Sequence, residues 1–249
     1  MSGANPRGLV IVAGGSRGIG AAISRKLASL GHSVAVNYAT RPEAAEAVVR
    51  DITAAGGKAR AFAGDVSNEA DVHALFAAAQ TWTEPLVGLV NNAGIIGGTS
   101  RVADLTLDAL NRTLAINVAG SFLCAREAVR VMSTKHGGHG GAIVNMSSAA
   151  ARLGGSGEFV HYAASKGAID TFTIGLGREV AEEGIRVNAV APGIIDTEMN
   201  PGERQARFLP NIPAKRVGTA DEIAEAVAWL LSPASSYVIG TTLTVSGGR

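Results

Sequence analysis

Seven short apolar runs recur along the chain, at 8–13 (GLVIVA), 32–38 (HSVAVNY), 58–64 (KARAFAG), 86–91 (LVGLVN), 141–147 (GAIVNMS), 185–192 (IRVNAVAP) and 242–246 (TLTVS). Most are rich in Val, Ile and Leu without clean polar alternation, the pattern of strands covered on both faces. Between them lie stretches with helical spacing of apolar positions, at 20–30, 42–55, 69–81, 107–132, 162–182 and 220–231. Pro42 stands where a first helical turn tolerates proline, and Gly31 and Gly56 stand where helices commonly end. This alternation implies right-handed crossovers and an α/β fold with a doubly wound parallel sheet. No linker, repeat or shift of composition interrupts it, so 1–249 reads as a single domain. The HGGHGG stretch at 136–141 is expected to be a loop. The long proline-containing segment 196–218 is of a length often used for lids and binding loops.

Glycine is the compositional outlier, at 32 of 249 residues, against a usual share of about 7%. With no repeat to account for it, glycine is expected at tight turns and close backbone approaches. A content of 47% hydrophobic and 17% charged residues excludes a disordered chain. Lys+Arg 22 against Asp+Glu 21 leaves a net charge of +1, so no global field recruits nucleic acid or an acidic membrane. Cys124 is the single cysteine. An internal disulfide is therefore excluded, and a cytoplasmic location is expected. The opening MSGANPRG is followed by only LVIVA before glycines begin, too short for a secretory h-region. No run approaches the roughly 18 apolar residues of a membrane span.

The first strand runs straight into Gly14-Gly15-Ser16-Arg17-Gly18-Ile19-Gly20 and then a helix. Glycines let a backbone approach a pyrophosphate closely, and a helix N-terminus offers free N–H groups and a positive dipole end. In this strand–loop–helix position a nucleotide site is favoured, although the spacing is GxxxGxG rather than GxGxxG. Ala21-Ala22 follow Gly20 where a P-loop needs lysine and a hydroxyl residue, which excludes that site. Residues 14–18 also fit the GxSxG nucleophile elbow of hydrolases, but an elbow follows several strands of its fold, not the first. An NAD site places a carboxylate at the end of the second strand for the ribose hydroxyls. No Asp or Glu occurs from 21 to 42, and Tyr38 takes that slot. Arg17 and Arg41 can instead hold a 2′-phosphate with their guanidinium forks, so NADP(H) is expected over NAD(H).

Tyr162 and Lys166 stand four apart at the start of a helical pattern and share one face. A nearby ammonium favours the phenolate and is expected to lower the tyrosine pKa, making it a usable acid for a carbonyl oxygen. Together with GGSRGIG (14–20), Asp65-Val66, Asn91-Asn92-Ala93-Gly94, Asn117, Ser147-Ser148, Pro192-Gly193 with Thr197, and Ser246-Gly247-Gly248, this pair makes the chain resemble the short-chain dehydrogenase/reductase family from end to end.

The resemblance implies a Rossmann-type seven-stranded sheet with helices on both faces, assembled as a homotetramer or homodimer. It implies Tyr162 as general acid/base, Lys166 as the group that lowers its pKa and holds the nicotinamide ribose, and Ser148 as hydrogen-bond donor to the substrate oxygen. It implies Asn117 as part of a proton relay through Lys166. For the cofactor it implies Gly14, Ser16, Arg17, Gly18, Ile19 and Gly20 at the phosphates, and Asp65 and Val66 beside the adenine. Asn91, Ala93 and Gly94 fall on the adenosine side, and Pro192, Gly193, Ile195 and Thr197 at the nicotinamide end. Ala13 replaces the family's usual threonine and removes a hydroxyl that braces the glycine loop. The interval from Ser148 to Tyr162 is one residue longer than in many relatives. No C-terminal extension beyond Arg249 is expected to close the substrate pocket.

Other candidates are weaker. His136 and His139 lack the Cys, His or carboxylate company of a metal site, so no metal is expected. His161 either faces substrate or begins the helix. Trp82, Trp229 and Cys124 read as packing residues, and Asp196, Glu198 and Glu203 as loop charges. Arg126, Arg130 and Lys135 are candidate contacts for an acidic carrier protein or a plain solvated face. The sequence thus points to an NADP(H)-dependent oxidoreductase interconverting a carbonyl and an alcohol of a small-molecule substrate, resembling ketoacyl carrier-protein reductases and sugar dehydrogenases. The alternative is a non-catalytic NADP(H)-binding regulator on the same fold.

Overall fold

The computed structural model describes residues 7–249, so the first six residues of the MSGANPRG opening lie outside the described residues. All seven apolar runs form strands: β1 (Leu9–Ala13), β2 (Ser33–Tyr38), β3 (Lys58–Ala63), β4 (Leu86–Asn91), β5 (Gly141–Met146), β6 (Ile185–Pro192) and β7 (Thr242–Val245). They make one parallel sheet in the order β3-β2-β1-β4-β5-β6-β7. The order reverses between β1 and β4, and a crevice opens at such a switch point beyond the carboxyl ends of the strands.

The unbroken apolar character of β1 has a direct cause. Val10 and Val12 pack into a core shared with helices α1 (Gly18–Ser29), α2 (Pro42–Ala54) and α9 (Ala220–Leu231). Leu9, Ile11 and Ala13 face a second core on the other side of the sheet, formed with α3 (Glu69–Ala79), α5 (Gly120–Met132) and α7 (Val160–Glu179). Both parities are therefore buried, and no polar alternation survives. The edge strand β3 alternates exposed and half-buried positions instead, with Lys58 and Arg60 turned to solvent.

One helical stretch differs from its sequence pattern. The run 107–132 divides into α4 (Leu107–Leu114), a widened π turn at Ala115–Ala119, and α5. The side-chain amide of Asn117, at the middle of that turn, donates to Ile95 O at 2.9 Å and accepts from Ile95 N at 2.8 Å. A single π turn inside a helix commonly marks a functional position. The excursion 196–218 is tied at both ends, by Asp196 N to Gly218 O (2.9 Å) and Gly218 N to Ile194 O (3.0 Å), and holds the short helix α8 (Gly202–Phe208). A further short helix, α6 (Ala150–Leu153), lies between Ser148 and Tyr162 and ends at Gly154 in the left-handed region, φ +77°.

Candidate active site

Beyond the carboxyl ends of the strands lies a cavity of about 760 Å³. One half is built on the glycine loop. Gly14 has φ +67°, and a Cβ there would stand 2.8 Å from Ala93 Cα. At Gly20 a Cβ would stand 2.1 Å from Gly14 O and 2.6 Å from Asn92 Nδ2. Only glycine fits where loop, helix and strand end crowd together. No side chain caps α1, unlike α3, α4 and α9, which Asn68, Thr106 and Thr219 cap. Its first N–H groups are thus left for an anion from the cavity. Gly20→Ala is expected to push the loop outward, weaken nicotinamide-cofactor binding about tenfold and lower stability by about 1–3 kcal/mol. Fluorescence titration with NADPH and thermal unfolding would check this, and unchanged binding would refute the close-packing argument.

The hydroxyl missing at Ala13 has structural substitutes. Asn37 Oδ1 accepts from Gly14 N at 3.1 Å, and Asn92 Nδ2 donates to Gly14 O at 2.8 Å. Ser24 Oγ donates to Gly20 O at 2.9 Å and Gly15 O at 3.2 Å. The loop is therefore braced without a threonine.

Gly14, Ser16, Arg17, Gly18, Ile19, Gly20, Tyr38, Arg41, Asp65, Val66, Ala93, Gly94, Pro192, Gly193, Ile195 and Thr197 all line this cavity. Asn91 does not, which corrects the expectation for it. It is the last residue of β4, 4% exposed, and its amide donates to Asn145 Oδ1 at 2.9 Å and Ser121 O at 3.1 Å inside the fold. Strand parity turns its neighbour Asn92 toward the glycine loop instead. At the adenine end, Asp65 is bound by Ser67 and by Arg112 Nη2 at 2.8 Å. Burial raises the pKa of this carboxyl, but the bonds from Ser67 and Arg112 outweigh it and hold it below the usual range.

The other half of the cavity holds Ser148, Tyr162 and Lys166. Ser147 and Ser148 separate in role. Ser147 Oγ donates back to Lys166 O at 3.3 Å, whereas Ser148 Oγ accepts from Ala150 N at 3.1 Å and its hydroxyl works against the rise in the Tyr162 pKa. Lys166 Nζ lies 5.7 Å from the Tyr162 ring centre and donates to Met146 O at 2.7 Å. Burial pushes its pKa down from 10.5 to about 8, against attraction from Asp170. The net shift at Tyr162 runs opposite to the lowering expected from a nearby ammonium. Burial raises Tyr162 above the usual phenol value, and hydrogen bonding to Ser148 and the charge of Arg204 only partly oppose it.

Asn117 lies behind the cavity wall, 1% exposed, with its amide also donating to Ser165 Oγ at 3.0 Å. A Cβ on Gly94 would stand 3.3 Å from Asn117 Oδ1 and 3.4 Å from Lys166 Nζ, so the two side chains flank that glycine. His161 is buried beside Gly97 and Thr113 rather than lining the cavity. Cys124 is fully buried, and burial pushes its thiol up to about 12. Among the described residues no three His, Cys, Asp or Glu side chains group to hold a metal ion, and no helix is long and apolar enough to cross a membrane. The basic residues considered for a carrier protein are occupied. Arg126 pairs with Glu69 and Glu127, Arg130 with Glu127, and Lys135 with Glu183.

Several lining residues escaped the sequence reading. Asn37 carried no motif beyond its strand, and Asn92 stood inside the Asn91–Gly94 motif without a role of its own. Arg112, Phe159, Arg204, Phe208 and Arg249 reach the cavity from four separate parts of the chain. Glu198, expected to be a solvated loop charge, bonds Arg17 at 2.7 Å and Arg41 at 3.4 Å.

A family model described as enoyl-(acyl carrier protein) reductase matches residues 13–249. The uncharacterized oxidoreductase YgfF of Escherichia coli (strain K12) is 53% identical over 246 residues, covering 97% of this chain and 99% of its own. A 3-oxoacyl-[acyl-carrier-protein] reductase of Synechocystis sp. is 36% identical over 241 residues, with 96% of each chain covered. Among solved structures, a blue fluorescent protein from a metagenomic library, in complex with NADPH, superposes with a TM-score of 0.91 at 38% identity, covering 98% of this chain and 99% of that one.

Proposed function

The chain belongs to the short-chain dehydrogenase/reductase family of oxidoreductases, and from that premise we propose that it is an NADP(H)-dependent enzyme interconverting a carbonyl and an alcohol, with Tyr162 as general acid/base. The observation that carries this reading is the meeting of the glycine cradle and the Ser148–Tyr162–Lys166 group in one cavity. The chain acts as a single dinucleotide-binding and catalytic domain over 1–249, with 196–218 as its substrate loop.

The cradle fits a dinucleotide, since the close approaches at Gly14 and Gly20 leave backbone where side chains would otherwise stand. A nicotinamide bound there supplies the hydride. Ser148 donates to the carbonyl oxygen and orients it. Tyr162, protonated at neutral pH as any phenol is and held further up by burial, gives that oxygen its proton. Lys166, as an ammonium below about pH 8, supports the resulting phenolate and holds the ribose. Asn117 fixes the wall behind Lys166, from which a proton is restored.

Preference for NADPH rests on Arg17 and Arg41. The carboxylate missing from 21–42 is nevertheless supplied at distance by Glu198, which pairs with both. A 2′-phosphate offers these forks more charge than one carboxylate does, so it displaces Glu198. Wild-type enzyme is expected to favour NADPH over NADH. The Arg17→Ala/Arg41→Ala pair should lower that ratio about tenfold or more, and Glu198→Gln should raise it. Absorbance at the reduced-nicotinamide band, with both cofactors against ketones, ketoacyl thioesters, quinones and sugars, tests the whole reading. Preference for NADH would overturn the cofactor assignment. NADPH binding without turnover of any class would favour the regulator.

The single buried thiol fits a cytoplasmic enzyme. Phe122, stacked on Phe172 with ring centres 3.8 Å apart, is half exposed on α5, and Ile174 on α7 is likewise open. These apolar positions support assembly as a homodimer or homotetramer, which sedimentation would test.

A further inference from the structure

On the substrate side the cavity wall carries two cations that the catalytic group does not use. Arg204, from α8, lies over the Phe159 ring at 4.7 Å and near the Phe208 ring at 5.7 Å. Arg249 lies over the other partner of that arrangement, 4.2 Å from the Phe208 ring centre. Among the described residues neither guanidinium has a side-chain hydrogen bond or an ion pair, and Arg204 Nε is shut from solvent without an acceptor. The nearby carboxylate, Glu158, is engaged by Arg207. Burial lowers the pKa of both Arg204 and Arg249, and each is further depressed by cationic neighbours; Glu158 offsets this in part at Arg204.

Two like charges half withdrawn from water beside one cavity carry a free-energy cost that a bound anion would offset. Stacking on aromatic faces offsets part of that cost and fixes the planes of the guanidinium groups, leaving their in-plane N–H donors unspent. Phe159 also meets the Tyr162 ring edge-on, with centres 6.1 Å apart. The cationic pair is therefore separated from the proposed proton donor by about one aromatic ring. The expectation of an open pocket at the chain's end is thereby revised, because Arg249 itself lines the cavity.

Resting on the reductase reading, we propose that Arg204 and Arg249 form an oxyanion-binding subsite, and that the carbonyl substrate carries a carboxylate or phosphate group a few bonds from its reacting carbon. The rings of Phe159 and Phe208 flank the segment between. Arg204 and Arg249 are here specificity residues and take no part in proton transfer.

Calorimetry with saturating NADPH tests this through two matched pairs: 4-oxopentanoate against its methyl ester, and dihydroxyacetone phosphate against dihydroxyacetone. The charged member of at least one pair is expected to bind about tenfold tighter or more, and that gap should close in Arg204→Gln/Arg249→Gln. The pair showing the gap identifies carboxylate or phosphate as the source. Absence of a gap in both pairs with the wild-type protein overturns the subsite without recourse to any variant. So does a gap that persists in a double variant whose thermal unfolding is cooperative. NADPH oxidation is read on the same samples. An arginine-dependent gap with no turnover would sustain the subsite while counting against the reductase reading.

Discussion

Tyr162→Phe is expected to reduce carbonyl reduction by about 10²–10⁴-fold in kcat/KM while leaving NADPH binding within about twofold. The substitution keeps the ring that Phe159 meets edge-on and removes only the hydroxyl. What is lost is the proton donor for the carbonyl oxygen. The phenol is protonated at neutral pH, its usual value being about 10 and burial raising it further, so donation depends on what stabilises the phenolate. Once the proton has left, the phenolate is supported by the Ser148 hydroxyl and by Lys166. The lysine loses its proton at about pH 8, so wild-type reduction is expected to decline as pH rises through that value. Single-turnover reduction at several pH values, beside fluorescence titration with NADPH, would measure both effects. A variant that retains more than a tenth of wild-type activity would refute the acid role. Loss of NADPH binding would show that the hydroxyl shapes the cofactor site instead.

The fold was legible because the strands carry their own signal. A parallel sheet buried on both faces turns each strand into a near-continuous Val, Ile and Leu run, and β1 shows why. The glycine loop was legible for a similarly local reason, since Gly14 and Gly20 answer steric demands within a few residues. Tyr162 and Lys166 were legible from helical spacing. Side-chain direction at strand ends was not. Asn91 and Asn92 are adjacent and identical in type, yet one is locked inside the sheet by Asn145 and Ser121, and the other braces Gly14. The π turn at Asn117 was hidden because 115–119 continues the apolar period of its neighbours. The tyrosine's electrostatics were misread because spacing reports neighbours and not burial. Long-range charge was also invisible, for Glu198 reaches Arg17 and Arg41 across most of the chain.

Lys166→Met is expected to abolish reduction and yet raise thermal stability. Its ammonium is 5% exposed, and burial lowers its pKa from 10.5 to about 8. Below pH 8 both folded and unfolded chains carry the proton, and the folded state bears the full cost of the buried charge, about 3 kcal/mol. Between pH 8 and 10.5 the unfolded chain binds the proton and the folded chain does not, so this group makes stability rise with pH. Above 10.5 the cost is gone. Methionine has similar length and no charge, but it forfeits the bond to Met146 O, which offsets about 1 kcal/mol. A net gain of about 1–2 kcal/mol corresponds to a rise in Tm of roughly 2–8 °C at pH 7 for a chain of this size. The gain should shrink on approach to pH 10. Calorimetric scans of both proteins at pH 7 and pH 9.5 would measure it. A fall in Tm at pH 7 would mean that Lys166 stabilises the fold, and the case for its retention as a functional charge would fail. A rise with activity lost identifies a residue held against the stability of the fold, which is the expected signature of a group kept for what it does to Tyr162.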